Sequence, residues 1–308
     1  MWSSQFAPPS SALARDGTLI QSKFPQAVRS TMLIDSRDRN YTVYPNSSEF
    51  VVELPEVLKN VVNAVLVCAE MPLSYYVFSA SRNNTTLKFT VHATPFTATI
   101  PDGNYTADQM CAALKLAMDT PSGHNFTVTI DPSSMKLKIT TGSNNVFTID
   151  TTGTTKTSDW GIGYYIGLPR NVVVSSSVVS GLNTVVGTNV VSLNPENYLL
   201  IDIEELNGLQ QTSPITTRVT TDPYSGKTIS QEDAGSGRKV FAKVTLDNNS
   251  YQYNFFDRAL TYVEIRPQVT KLERLRVSVR FHDGTLVDFN GGEWSMSLEF
   301  ACTLTRGL

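Results

Sequence analysis

Residues 271–305, KLERLRVSVRFHDGTLVDFNGGEWSMSLEFACTLT, decide the fold class. Leu275, Val277, Val279 and Phe281 alternate with Arg274, Arg276, Ser278, Arg280 and His282, the period-two pattern of a strand that buries one face. Asp283-Gly284 is a two-residue hairpin signal, residues 286–289 return, and Asn290-Gly291 makes a second turn. From Trp294 the alternation is strict: Trp294, Met296, Leu298, Phe300, Cys302 and Leu304 share one face, and Ser295, Ser297, Glu299, Ala301 and Thr303 the other. The expected structure is a three-stranded antiparallel meander with one core face, its last strand tying the end of the chain into a sheet.

Working outward, the same period recurs upstream. Phe50, Val52 and Leu54 alternate until Pro55, which predicts the end of a half-buried strand. Residues 61–71 are apolar on both parities and rich in valine, which favours a central strand over a helix. Between about 85 and 150 short strand patterns at 87–91, 96–100, 126–130, 137–140 and 146–149 surround one helix. Thr106 caps that helix with Gln109 reaching back, and Met110, Ala113, Leu114, Ala117 and Met118 fall on one of its faces. This segment reads as a β-rich insertion with a covering helix. Residues 198–203 return to strand, and the Gly- and Pro-rich residues 207–238 read as a long loop. Residues 1–29, rich in Ser, Pro and Ala, read as an extended arm whose Trp2 and Phe6 suit a neighbouring surface better than water. Residues 30–308 then form one β domain carrying the insertion and the loop.

Composition narrows the function. The 308 residues are 41% hydrophobic but only 17% charged, against about a quarter charged in ordinary soluble domains. A net charge of −3 gives no electrostatic footprint for nucleic acid, so no direct nucleic-acid contact is expected. Cys68, Cys111 and Cys302 are too few and too widely spaced for a disulfide framework or a metal knuckle. The first residues lack a basic start followed by an apolar run, so no secretory signal is expected, and no stretch is apolar enough to span a membrane as a helix.

No catalytic, cofactor or metal residue is assigned. His92, His124 and His282 stand in no ligand spacing. Gly161-Ile162-Gly163-Tyr164-Tyr165-Ile166-Gly167 imitates a dinucleotide fingerprint, but its third glycine comes one residue late and the strand-to-helix context is missing. Glu204 and Glu205 are adjacent, so on a strand they point to opposite faces and cannot cooperate in acid–base work. The chain is therefore not expected to be an enzyme. One charged feature stands out: Arg274, Arg276, Arg280 and His282 share the polar face of one strand, a basic stripe roughly 20 Å long at strand rise. It is either a solvated outer face or a docking stripe for an acidic neighbour.

Two segments carry a resemblance. Residues 34–72, IDSRDRNYTVYPNSSEFVVELPEVLKNVVNAVLVCAEMP, and residues 271–300 resemble the opening and closing blocks of minor capsid proteins of large icosahedral nucleocytoplasmic DNA viruses of algae and protists. IPDGNYTADQM (100–110) and WGIGYYIGLP (160–169) resemble that family's middle. The resemblance implies a jelly-roll-like antiparallel β-sandwich whose terminal blocks pair into one core. It also implies a non-enzymatic role linking or spacing major capsid units in a virion assembled in host cytoplasm. The implied partners are the major capsid protein and other minor capsid proteins, near an internal membrane. The interface residues expected on this reading are Trp2, Phe6, Arg274, Arg276 and Arg280. Two rivals stay open: a carbohydrate-binding or host-attachment sandwich using Tyr164 and Tyr165, and a hydrolase whose site is assembled from distant residues.

Overall fold

The computed structural model of the chain describes residues 27–152, 161–170, 172–194, 196–206, 217–221, 228–232, 240–246, 254–282 and 284–303. The chain enters on β1 (Ala27–Asp35), so the last residues assigned to the arm already belong to the sheet, and continues into β2 (Glu49–Met71). Then come β3 (Thr86–Val91), β4 (Thr94–Thr99), helix α1 (Ala107–Ser122), β5 (Phe126–Ile130), β6 (Leu137–Thr141) and β7 (Phe147–Asp150). A single helical turn, α2 (Ile162–Tyr165), precedes β8 (Val173–Ser175), β9 (Ser177–Val179) and β10 (Leu182–Val186). The remainder is β11 (Tyr198–Ile203), β12 (Thr217–Thr221), β13 (Thr228–Glu232), β14 (Ala242–Thr245), β15 (Asn254–Arg280) and β16 (Ser295–Thr303). The expected fold class is met: the chain is mainly antiparallel β with a helix-bearing, β-rich insertion.

The principal sheet runs β1-β16-β2-β15-β11-β14, but it is not flat. Phe50, near the start of β2, packs against Trp294 with ring centroids 5.6 Å apart, while Ser295 is in register with Glu70 at the far end of β2. Twenty residues of straight strand would separate those ends by ~65 Å, so β2 must fold back. It bends where Asn60 takes a left-handed φ of 52° and where β15 slips register between Glu264 and Val269. Bulges with an extra residue and stronger twist let a strand pass between layers. The β2/β15 pair therefore serves two facing layers. One holds β1, β16 and the second half of β2; the other holds the first half of β2, the end of β15, β11 and β14. Ile34, Leu66, Met296, Leu298 and Phe300 from the first layer meet Phe50, Ile201, Val244, Leu275, Val277 and Val279 from the second in one buried cluster.

Two expectations are corrected here. Pro55 does not end the strand: β2 runs through it, because residues 54–57 are skipped by the β15 ladder and a missing N–H costs nothing there. The C-terminal meander does not form either. Residues 285–287 do fold back on the end of β15, through the Arg280–Leu286 bridge and backbone bonds from Phe281 N–H to Thr285 and from Val287 N–H to Val279, but they form no strand, and β16 pairs with β1 and β2 instead. Val287 and Phe289 are buried, so the alternation there records contact with the core rather than a strand.

The insertion has its own core. Sheets β4-β3-β7-β8 and β5-β6-β10-β9 enclose Phe89, Phe126 and Phe147, stacked edge to face at 5.7 and 5.3 Å. Met110, Leu114 and Met118 of α1 complete it. The helix starts with the full Thr106/Gln109 capping box and ends at Gly123 in the left-handed region. The insertion reaches beyond residue 150, since β8 returns to pair with β7 and β10 with β6. The stretch read as a loop over 207–238 contains an antiparallel hairpin, β12 with β13.

Candidate interaction surface

The block DSRDR (35–39) builds the clasp that closes the folded sheet. Ser36 N–H donates to the Trp294 carbonyl at 2.9 Å, and Trp294 N–H returns to Ser36 Oγ at 2.8 Å. Ser36 Oγ donates to Glu293 Oε2 at 2.5 Å. Arg39, with its side chain only 3% exposed, pairs with the same oxygen at 2.5 Å and also donates to the carbonyls of Ser36, Tyr44 and Pro45. Trp294 donates its indole N–H to the Ser47 carbonyl at 2.8 Å. A buried guanidinium is tolerable only when its donors are filled, and these partners take four of the five. Burial alone would raise the Glu293 carboxyl, but hydrogen bonds from Arg39 and Ser36 outweigh it and hold the group below its ordinary value. Next to Glu293, Gly292 packs directly against Ser74 and Phe289: a Cβ there would lie 2.5 Å from Ser74 Oγ and 3.0 Å from the Phe289 carbonyl oxygen.

A second buried guanidinium joins the two cores. Arg82 donates to Glu196 at 2.8 Å, to the Tyr165 hydroxyl at 3.1 Å and to the Val77 carbonyl at 3.2 Å, and lies 4.2 Å over the Phe281 ring. Phe281 meets Tyr75 edge to face at 5.2 Å. Burial, the largest influence, raises the Tyr75 hydroxyl, which keeps it neutral. Nothing in the polar run around Arg82 marked it in the sequence.

The predicted interface residues fare differently. Trp2 and Phe6 lie outside the described residues. Arg274, Arg276 and Arg280 do share β15, and Arg274 is exposed beside Glu53 of β2. Arg276 binds Glu49 at 3.0 Å and approaches Glu204 at 3.9 Å, while its backbone N–H donates to Glu205. Arg280 is half-buried and donates to Ser278 and to the Gly284 carbonyl. His282 shares a 2.6 Å hydrogen bond with Tyr198. Glu204 and Glu205 thus serve the stripe rather than each other. Of the two tyrosines suggested as a glycan platform, Tyr164 is exposed but Tyr165 is buried. The glycine run resolves as α2 flanked by Gly161 and Gly167 at positive φ, with no βαβ unit around it among the described residues.

Two surfaces were missed by sequence reasoning. The first is the valine edge of the insertion: β8 and β9 are the last strands of their sheets, and Val173, Val178 and Val179 stand exposed on them. Residues 171–195 contain no ionisable side chain, so this edge lacks the charges that normally guard one. The second is an open groove of about 1080 Å³ between β1 and the first half of β2, with Arg274 on its wall. Among the described residues no cluster of three or more His, Cys, Asp or Glu side chains could hold a metal ion, and no helix is long and apolar enough to cross a membrane.

These features define a mainly β, two-layered protein with a helix-bearing insertion and exposed, uncharged strand edges. The chain belongs to a family of unknown function, DUF5901, which matches residues 24–261. No curated protein matches it. Among solved structures it is similar to the mavirus penton protein, with a TM-score of 0.40 and 11% identity over 89% of this chain and 99% of that one. It is also similar to a chain of the Sputnik virophage particle, with a TM-score of 0.35 and 10% identity over 91% and 98%.

Proposed function

We propose that the chain is a structural component of a virus particle, a minor capsid protein that links or spaces major capsid units and works through covered surface rather than catalysis. The observation that carries this reading is the uncharged valine edge of β8 and β9, together with the outer edge of β1, which no described strand pairs. Soluble proteins rarely leave such edges open, because unpaired N–H and C=O groups beside apolar side chains recruit other strands. Coverage by neighbours answers that liability. The resemblance of residues 34–72 and 271–300 to minor capsid proteins supports the reading, since those two blocks supply the clasp and most of the folded sheet.

On this reading the partners are the major capsid protein and other minor capsid proteins, and the chain resides in the virion, near an internal membrane. Residues 1–26 with Trp2 and Phe6 reach a neighbour, and Arg274 docks an acidic group beside Arg276 and Arg280. Deleting residues 1–25 should leave the melting transition of the β domain in place and reduce incorporation into particles. Normal incorporation of the shortened protein would contradict the arm's part in the assembly.

A further inference from the structure

The groove between β1 and β2 has walls of an unusual kind. Residues 30–33 line one side and residues 51–53 the other. Consecutive residues of a strand point to opposite faces, so lining by successive residues brings the backbone edge of each strand into its wall beside the side chains. Among the described residues β1 pairs only with β16, and residues 49–59 of β2 pair only with β15. The groove is therefore bounded by two open strand edges. It carries three carboxylates, Asp38, Glu53 and Glu56, against one guanidinium, Arg274.

We infer that this groove is the acceptor for residues 1–26 of a second copy of the chain, laid along β1 as an added strand. The inference rests on the proposed function, which has the arm reach a neighbour. The segment is complementary in charge, with Arg15 and Lys23 against Asp16, and brings apolar Trp2, Phe6, Leu13, Leu19 and Ile20 to Leu33 and Val52 of the walls. Its 26 residues could extend ~85 Å, ample for a neighbour's groove. The chain's own groove is disfavoured. Residues 18–26 contain no Gly, Asn or Asp for a tight reversal before Ala27. A hairpin about Asp16-Gly17 would set Pro8 and Pro9 against Pro25 and Phe24, and prolines break such a ladder.

The test uses the full chain with a photo-crosslinking phenylalanine in place of Phe6, irradiated as an equal mixture of isotopically light and heavy protein. Crosslinks should join light to heavy chains and map to residues 30–33 or 51–58. Glu53→Lys with Glu56→Lys should lower the yield about fivefold without changing the circular dichroism spectrum. Crosslinks confined to single chains, crosslinks to other surfaces, no crosslinks at all, or an unchanged yield in the double variant would each overturn the inference. Particle incorporation separates it from the proposed function. If the arm crosslinks elsewhere yet its deletion still blocks incorporation, only the groove assignment fails. If the groove is crosslinked and deletion leaves incorporation normal, the assembly role fails.

Discussion

Arg39, Glu293 and Ser36 share one carboxylate oxygen at the point where the two ends of the β domain meet. Removing the guanidinium leaves Glu293 partly buried and the Ser36, Tyr44 and Pro45 carbonyls short of a donor. Arg39→Ala should therefore cost about 3 kcal/mol, read as a lowered midpoint in urea unfolding. The pH dependence follows from the depressed Glu293 value. A carboxyl that ionises more readily folded than unfolded stabilises the protein above its unfolded value, about 4.3, and that contribution disappears as pH falls through the folded value. The melting temperature should drop on acidification below about pH 4.3, and Glu293→Gln should flatten that part of the profile. An equally steep profile in the variant would assign the acid sensitivity to other carboxyls, such as Asp35, which its bond to Arg37 also depresses.

At the scale of elements, local signals were legible and distant ones were not. The Thr106/Gln109 capping box, the 126–130 and 198–203 strands and the alternation of β16 depend on neighbours a few residues away, and each stands in the structure where the pattern put it. Thr106→Ala should cost about 1 kcal/mol through loss of the cap, measured by denaturant midpoint. What alternation could not supply was partnership. The strict pattern of residues 294–304 specifies a buried face but says nothing of which strands flank it, so a local meander was the natural reading and the pairing with β1 and β2 was hidden. The bend at Asn60 was equally hidden: the buried parity of β2 switches between Phe50 and Val61 and again between Leu66 and Ala69, and a stretch apolar on both parities conceals such switches. The arginine stripe was legible as a face, yet Glu49 and Glu204, which engage Arg276, come from distant segments. The valine edge makes a prediction at this scale: Val173→Lys with Val178→Lys adds charge to exposed positions of β8 and β9. The variant should melt within about 1 kcal/mol of the parent and lose particle incorporation; undiminished incorporation would remove that edge from the interface.

For the whole molecule, the low charged fraction acquires a location. Charge is absent from residues 171–195; at the described end of β15 the surface charges Lys271 and Arg276 pair with Glu273 and Glu49, and Arg274 is exposed near the groove. Arg274→Ser should weaken association with particle components, and more so at low than at high salt, as expected for an exposed charge contact. An effect independent of salt would point to packing instead. The measurement that tests the central claim most directly is a cryo-electron microscopy map of the intact particle at side-chain resolution. The account predicts density for this chain between or beneath the major capsid units, with β8, β9 and the outer edge of β1 covered by neighbours. A particle in which the chain is absent, or present with those edges open to solvent, would contradict it.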